Sequence, residues 1–555
     1  MVEIAFGRLR VSFTFYLLIF ILFVADEWKT DLNYICTAGP PVTTMGKIAF
    51  LRSSLRRYPL FLLTIPFVFL VHTANQYFGL LHWKYIVTDL LLYLTVPILI
   101  YFLLAMAWRS YRKSGIVLFV SLVIFYFFHV LYDGLKISAS FSFLGRYSIW
   151  VPLIAGGMIV LIIYLFRSRK SFDRFYFVAN TLFLLLLAGG LVQYAQLSLT
   201  GGLHKQDQAD PEKKLQEAYR RCDTCSNPDI YFLLFDEYTN SKTLATEFGY
   251  ENSFIENRLG ARGFHIPHAS RSNYNFTHMA LGSELNLSYL ANLGSDRHFY
   301  TKDFLRAYYT VFNNEFAGIL KKQGYSIRNY SIFDMAGSPV LTTAFLTELT
   351  WRSVIGQTFF HKLRRDIGWQ LNKITGGNKT VPQEFITKSE HDMERIKKSF
   401  DGVVAEAKAK SSAPRFIYAH FLVPHETYYF DSLGKRLDMM HTAEGKASKE
   451  DYLAQLIYAN RFIMAPLVDS IFENARRPFV IVIQGDHGYR FWPAAKVDLE
   501  FENFSAIYFP NGNYDTIGDS LSSVNTFRIV LNKYFHTSYP LLKDTAINLY
   551  KTNSY

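Results

Sequence analysis

The sequence predicts a transmembrane helical bundle followed by an α/β domain outside the cytoplasm. Apolar residues crowd the first two hundred positions, and five apolar stretches of near-spanning length follow one another there. Beyond them, short apolar strands alternate with helical patterns, the signature of a sheet with helices on both faces.

The chain has 555 residues, half of them apolar and 17% aromatic, which exceeds one compact domain. The net charge of +12 is unevenly placed. Residues 1–200 hold 17 Lys/Arg against 7 Asp/Glu, so the remainder carries too little excess for a nucleic-acid surface.

The five spans begin at Pro59, Ile86, Gly115, Ile149 and Phe175. Lys47, Arg52, Arg56 and Arg57 precede the first. Arg109, Arg112 and Lys113 lie between the second and third, and Arg167, Arg169, Lys170 and Arg174 between the fourth and fifth. The other two loops hold only Lys84, and Lys136 with Arg146. This alternation places the basic loops in the cytoplasm and everything after Leu197 outside, in a multi-pass protein of the plasma (inner) membrane. A shorter apolar stretch from Val11 conflicts with that orientation if it spans. It reads instead as a surface-lying helix or as sequence upstream of a start at Met45. Asp89, Asp133, His72 and His129 fall within or near the spans, where bundle packing and interface placement explain them more simply than ion transport. The expected organisation is an extension over 1–58, five spans over 59–197, a polar linker over 198–227 and a catalytic domain over 228–555.

Cys222 and Cys225 form a C-x-x-C just before that domain. Outside the cytoplasm they read as a disulfide staple, with redox catalysis the alternative that lacks supporting context; a zinc knuckle would want a second pair.

In the outer domain, "PDIYFLLFDEY" from Pro228 is an apolar strand ending in Asp236 and Glu237, and "PFVIVIQGDHGYR" from Pro478 is another, ending in Asp486 and His487. In open α/β sheets ligands bind outside the carboxyl ends of the strands, which is where these residues fall. "RFIYAHFLV" is a third strand, with His420 and His425 bracketing its end. "SNYNFTHMALGSELN" reads as a polar lead into a helix with Thr277 in its first turn. A hydroxyl there serves as a cap, or as a nucleophile where a metal lowers its pKa beside an anion-binding helix end. Two carboxylates, a hydroxyl and an imidazole make a plausible shell for one divalent cation: zinc, manganese or magnesium.

In order and spacing these motifs resemble the alkaline phosphatase/sulfatase superfamily, in its membrane-anchored branch of lipoteichoic-acid-synthase-like and phosphoethanolamine-transferase-like enzymes. The likeness covers roughly Pro228 to Leu542, including the late "SSVNTFRIVLNKYF". It implies an alkaline-phosphatase-like sheet, with Asp236, Thr277, Asp486 and His487 as the metal shell and Thr277 as the attacking group. His425, with His420 as a second candidate, would steady the substrate phosphate or leaving group. Glu237 stands where some sulfatases carry a second metal-binding acid. The C/S-x-P-x-R motif matured to formylglycine in secreted sulfatases is replaced by "THMAL", which disfavours formylglycine chemistry. The implied activity moves a phospholipid head group, phosphoglycerol or phosphoethanolamine, to an envelope glycan or lipid through a phospho-threonine. The rival readings are a hydrolase of phosphate or sulfate esters, and a membrane scaffold or transporter with a vestigial enzyme domain.

Overall fold

A computed structural model describes residues 42–76, 78, 83–137, 147–200, 215–290, 293, 301–342, 355–363, 383–438 and 448–549. The stretch from Val11 lies outside them. The chain divides into two compact units, one of residues 1–202 with 347–377, the other of residues 203–346 with 378–555. That 347–377 groups with the first unit is not visible in residue order.

The first unit contains α1 (Val42–Arg57), α2 (Phe61–Gln76), α3 (Trp83–Trp108), α4 (Tyr111–Ile137), α5 (Tyr147–Arg167) and α6 (Asp173–Thr200). Among the described residues α3 to α6 are each long and apolar enough to cross a membrane. The stretch expected as the first span instead forms a pair bent by 89°, Phe50–Arg57 with Phe61–Gln76, which makes a fifth span only if both arms are counted together. The bend has a local cause. Pro59 has no N–H to give the carbonyl of Leu55, four residues earlier, so the helical ladder breaks there. The buried amide of Asn180 on α6 repairs it. Its Nδ2 donates to the carbonyls of Leu55 (2.7 Å) and Tyr58 (2.8 Å), and its Oδ1 accepts from the Phe61 N–H (2.8 Å). In lipid such backbone groups must find a partner inside the protein.

The second unit is built on a five-stranded sheet of order β2-β3-β1-β4-β5, with β1 (Asp229–Phe235), β2 (Ser326–Tyr330), β3 (Arg415–Phe421), β4 (Phe479–Gln484) and β5 (Ser505–Tyr508). β1 to β4 run parallel and β5 is antiparallel to β4. β1 and β3 are buried along their whole length, as strands covered on both faces must be.

Alternate β1 side chains enter two separate cores. Ile230, Phe232 and Leu234 meet Leu281 and Leu285 of α9 (Thr277–Leu285), Phe316 and Ile319 of α10 (Glu315–Lys322), and Phe527 of α14 (Thr526–Tyr534). Tyr231, Leu233 and Phe235 meet Leu244 of α7 (Ser241–Phe248), Leu259 of α8 (Ser253–Ala261), Val403 of α11 (Gln383–Lys408), Leu456 of α12 (Lys449–Tyr458) and Ile471 of α13 (Ala465–Asn474). The expected sheet with helices on both faces is present. Residues 241–263 hold two helices, separated after Gly249, whose left-handed φ of 62° closes α7.

Register positions the site. Leu234 of β1 is level with His420 of β3 and Gln484 of β4, so all three strands end at one edge. At the opposite end the Asp229 carboxylate holds the buried Arg415 guanidinium at 2.7 Å and the Arg415 N–H at 2.9 Å.

Candidate active site

Where β1 leaves the sheet, the Asp236 N–H donates to the carbonyl of Phe421 (2.9 Å), and its own carbonyl accepts from the His425 N–H (3.1 Å). Glu237 then takes a left-handed φ of 64°, which aims its N–H at Oδ1 of Asp486, 3.0 Å away. On β4 the glycines flanking Asp486-His487 have steric reasons. A Cβ at 485 would lie 2.4 Å from the carbonyl oxygen of Tyr238, and one at 488 would lie 2.7 Å from that of Glu502. The Asp-His pair is thus threaded between backbones that only glycine admits.

Asp236, Asp486 and His487 are all buried. His420 Nε2 lies 3.1 Å from Oδ2 of Asp236, and its Nδ1 lies 3.3 Å from the Tyr418 hydroxyl. His487 Nδ1 lies 2.8 Å from the carbonyl oxygen of Gly488, an acceptor only, so Nδ1 carries the proton and Nε2 presents a lone pair. Three buried atoms then remain without a hydrogen-bond partner: Oδ1 of Asp236, Oδ2 of Asp486 and Nε2 of His487. Nε2 is 3.3 Å from the Asp486 oxygen and 3.9 Å from the Asp236 oxygen, and all three lie within 4.8 Å of one another.

Three buried acceptors facing each other without a donor are costly unless a cation joins them. Ligands about 2.0–2.1 Å from a tetrahedral zinc stand about 3.3 Å apart, which the His487–Asp486 pair matches at 3.3 Å and the His487–Asp236 pair exceeds at 3.9 Å. The donor set, two carboxylates and an imidazole, fits a divalent ion. Burial opposes ionisation of Asp236, but the neighbouring imidazoles of His425, His420 and His487, with the His420 hydrogen bond, hold its carboxyl below the usual range.

Thr277 is the first residue of α9. It is not the cap: Phe276 holds that position and makes no side-chain cap. Among the described residues no hydrogen bond engages the Thr277 hydroxyl. Its neighbour His278 packs edge-on to Phe333 and Phe304, with ring centroids 5.2 and 5.6 Å away. Burial pushes the His278 pKa down to about 4, against the pull of Asp236 and Asp486.

Glu237 stands outside the three-atom cluster. Its Oε1 accepts from the Arg490 N–H (2.8 Å), its Oε2 lies 3.8 Å from His425 Nε2, and burial raises its pKa against the charges of His425, Arg490 and His487. Its Oε1 ties the two loops together, while its Oε2 is buried without a hydrogen-bond partner. His425 is partly exposed and its Nε2 touches the Arg490 guanidinium. His420, read as a candidate for contact with substrate, is buried against Asp236. Arg490 and His278 were not singled out in the sequence. Arg490 closes the same "DHGYR" run, and His278 directly follows Thr277.

No family model matches the sequence, and no curated protein matches it. Among solved structures, the chain is similar to the integral membrane lipooligosaccharide phosphoethanolamine transferase A from Neisseria meningitidis, at 12% identity over 87% of this chain and 95% of that one, with a TM-score of 0.34. It is similar to the C-terminal periplasmic domain of EcEptC from Escherichia coli, at 12% identity over 60% of this chain and 94% of that one, with a TM-score of 0.36. A Bacteroides thetaiotaomicron protein described under glycosaminoglycan metabolism aligns at 14% identity over 55% of this chain and 72% of that one, with a TM-score of 0.32.

Proposed function

We propose that the protein is a membrane-bound, metal-dependent phosphotransferase that moves a phospholipid head group to an envelope glycan or lipid through a phospho-threonine. The observation that carries this reading is the set of three buried, partnerless acceptor atoms on Asp236, Asp486 and His487.

Asp236, Asp486, His487 and the Thr277 hydroxyl would hold the ion. A divalent cation there lowers the pKa of a bound hydroxyl and neutralises charge on phosphoryl oxygens. Thr277 Oγ1, its proton given up to solvent, would form the new bond to phosphorus as the bond to the diacylglycerol oxygen breaks. The N-terminal amides of α9 face the phosphoryl oxygens and favour their negative charge. His425 and Arg490 would steady the phosphate, and His425 in its doubly protonated form would hand a proton to the departing oxygen and regain one from the acceptor hydroxyl in the second step. An acceptor hydroxyl then attacks the same phosphorus and Thr277 Oγ1 leaves.

The α/β unit belongs outside the cytoplasm on this reading, following the alternation of Lys/Arg between the loops. The same chain carries membrane-type helices, which suits a donor that is itself a lipid.

The test is incubation of the full chain in detergent with head-group-labelled phosphatidylethanolamine and phosphatidylglycerol, followed by mass spectrometry of the Thr277 peptide. A phospho-head-group adduct absent from Thr277→Ala supports the reading. Release of the label only to water, with every envelope acceptor inert, would make the protein a hydrolase instead.

A further inference from the structure

Cys222 and Cys225 are joined by the expected disulfide, but their surroundings differ from those of a simple staple. The loop is held without the bond. The Gln323 side chain accepts from the Cys222 N–H (2.9 Å), donates to the Cys222 carbonyl (2.6 Å) and donates to Oδ1 of Asn227 (2.9 Å), while Asn227 Nδ2 donates to the Cys225 carbonyl (2.9 Å). A cross-link closing so short a loop also constrains the unfolded chain least.

The two sulfurs are unequal. Cys225 is buried in the core that contains Leu281 and Phe316, whereas Cys222 is half-buried, with its Sγ 3.7 Å from Nδ1 of the exposed His536. An accessible cysteine beside an imidazole, with a shielded partner directly after the two intervening residues, is the arrangement of a thiol–disulfide exchange site. Beside the loop, Arg220 donates to the Glu217 carbonyl (3.3 Å). Arg221 pairs with Asp223 at 3.1 Å on the loop itself. From α14, Lys533 turns to Asn513 (3.2 Å) and the Phe509 ring, and from α10, Lys322 donates to the Gln216 carbonyl (2.6 Å).

We infer that Cys222–Cys225 is a reversible redox site that exchanges electrons with an exogenous thiol, independently of the phosphotransfer chemistry. An external thiolate attacks Cys222 Sγ, the S–S bond breaks, and Cys225 leaves as a thiolate that takes up a proton. A second external thiolate attacks the outer sulfur of the mixed disulfide. Cys222 then departs as a thiolate held by His536, and two thiols have become one disulfide for two electrons moved. In the reverse direction the Cys222 thiolate is the nucleophile.

The experiment equilibrates the full chain in detergent with reduced and oxidised glutathione and traps the thiols by alkylation with peptide-resolved mass spectrometry. His536→Asn is the variant, since asparagine tolerates the left-handed φ of 52° at that position. The bond should open and re-form while the protein stays folded, with no shift of its thermal midpoint on reduction. In His536→Asn, re-formation by oxidised glutathione should slow about threefold at neutral pH, the net of lost thiolate and gained nucleophilicity, and match the wild type at high pH where the thiol ionises unaided. A bond that resists glutathione until denaturant is added, a fold lost on reduction, or equal rates for the variant at both pH values would each overturn the inference.

Discussion

The Glu237 N–H donates to Oδ1 of Asp486 across 3.0 Å, joining residues 249 positions apart. That one bond fixes which Asp486 oxygen is occupied and which is bare. His420 does the same for Asp236, taking Oδ2 and leaving Oδ1 open. Each carboxylate is thereby oriented before any ion arrives, which is how supporting contacts tune a metal site.

Removing the His420 support should therefore weaken the site without touching a ligand. His420→Ala should lower metal affinity by roughly 10–100-fold, read by competition against a chelator of known strength. An unchanged affinity would show that Asp236 needs no orienting partner.

The glycine before Asp486 is a steric requirement. In Gly485→Ala the new Cβ would meet the Tyr238 carbonyl at 2.4 Å, a backbone atom that cannot step aside. The substitution should destabilise the α/β unit by about 1–3 kcal/mol in denaturant titration and displace the Asp-His pair. A stability equal to wild type would mean the turn has room that its geometry denies.

Asp229 provides the contrasting case. It lies at the other end of β1, where its carboxylate neutralises a guanidinium that is almost fully buried. Asp229→Ala leaves Arg415 buried with that partner gone and should cost about 3–5 kcal/mol. Metal affinity of the folded fraction should not change, because the site is at the opposite edge of the sheet.

Glu500 gives a pH dependence. Burial raises its pKa from 4.5 to about 7, with the Asn275 hydrogen bond and the Arg490 charge opposing and Glu237 adding to the rise. The folded state keeps the proton longer than the unfolded chain does, so its contribution is complete below about 4.5 and is lost as pH rises to about 7. The loss should be on the order of 3 kcal/mol, measured by unfolding with chelator present so that metal loss does not contribute. Glu500→Gln should flatten that part of the profile. A variant with the wild-type slope would place the titrating group elsewhere.

The ends of the central strands were legible in the sequence because β1, β3 and β4 are continuous apolar runs, as strands covered on both faces must be, and two of them stop on acids. The outer strands were not. Ser326–Tyr330 is half polar at one edge and Ser505–Tyr508 is only four residues long, so neither has the periodicity that marks a strand. The nucleophile candidate could be found from its polar lead into a helix, but His278 and Arg490 matter through neighbours from 26 to 253 positions away. Pro59 was visible within the first expected span. The amide that accepts the resulting bend, Asn180, lies 119 residues beyond its Phe61 partner and could not be matched to it by pattern.

The most direct measurement is the metal content of the purified full chain, by elemental mass spectrometry after dialysis, for wild type, Asp486→Ala and Thr277→Ala. The account predicts one divalent ion per wild-type chain, lost in Asp486→Ala together with activity, and head-group labelling absent in Thr277→Ala. Wild type without a bound ion, or Asp486→Ala retaining both its ion and its activity, would contradict it.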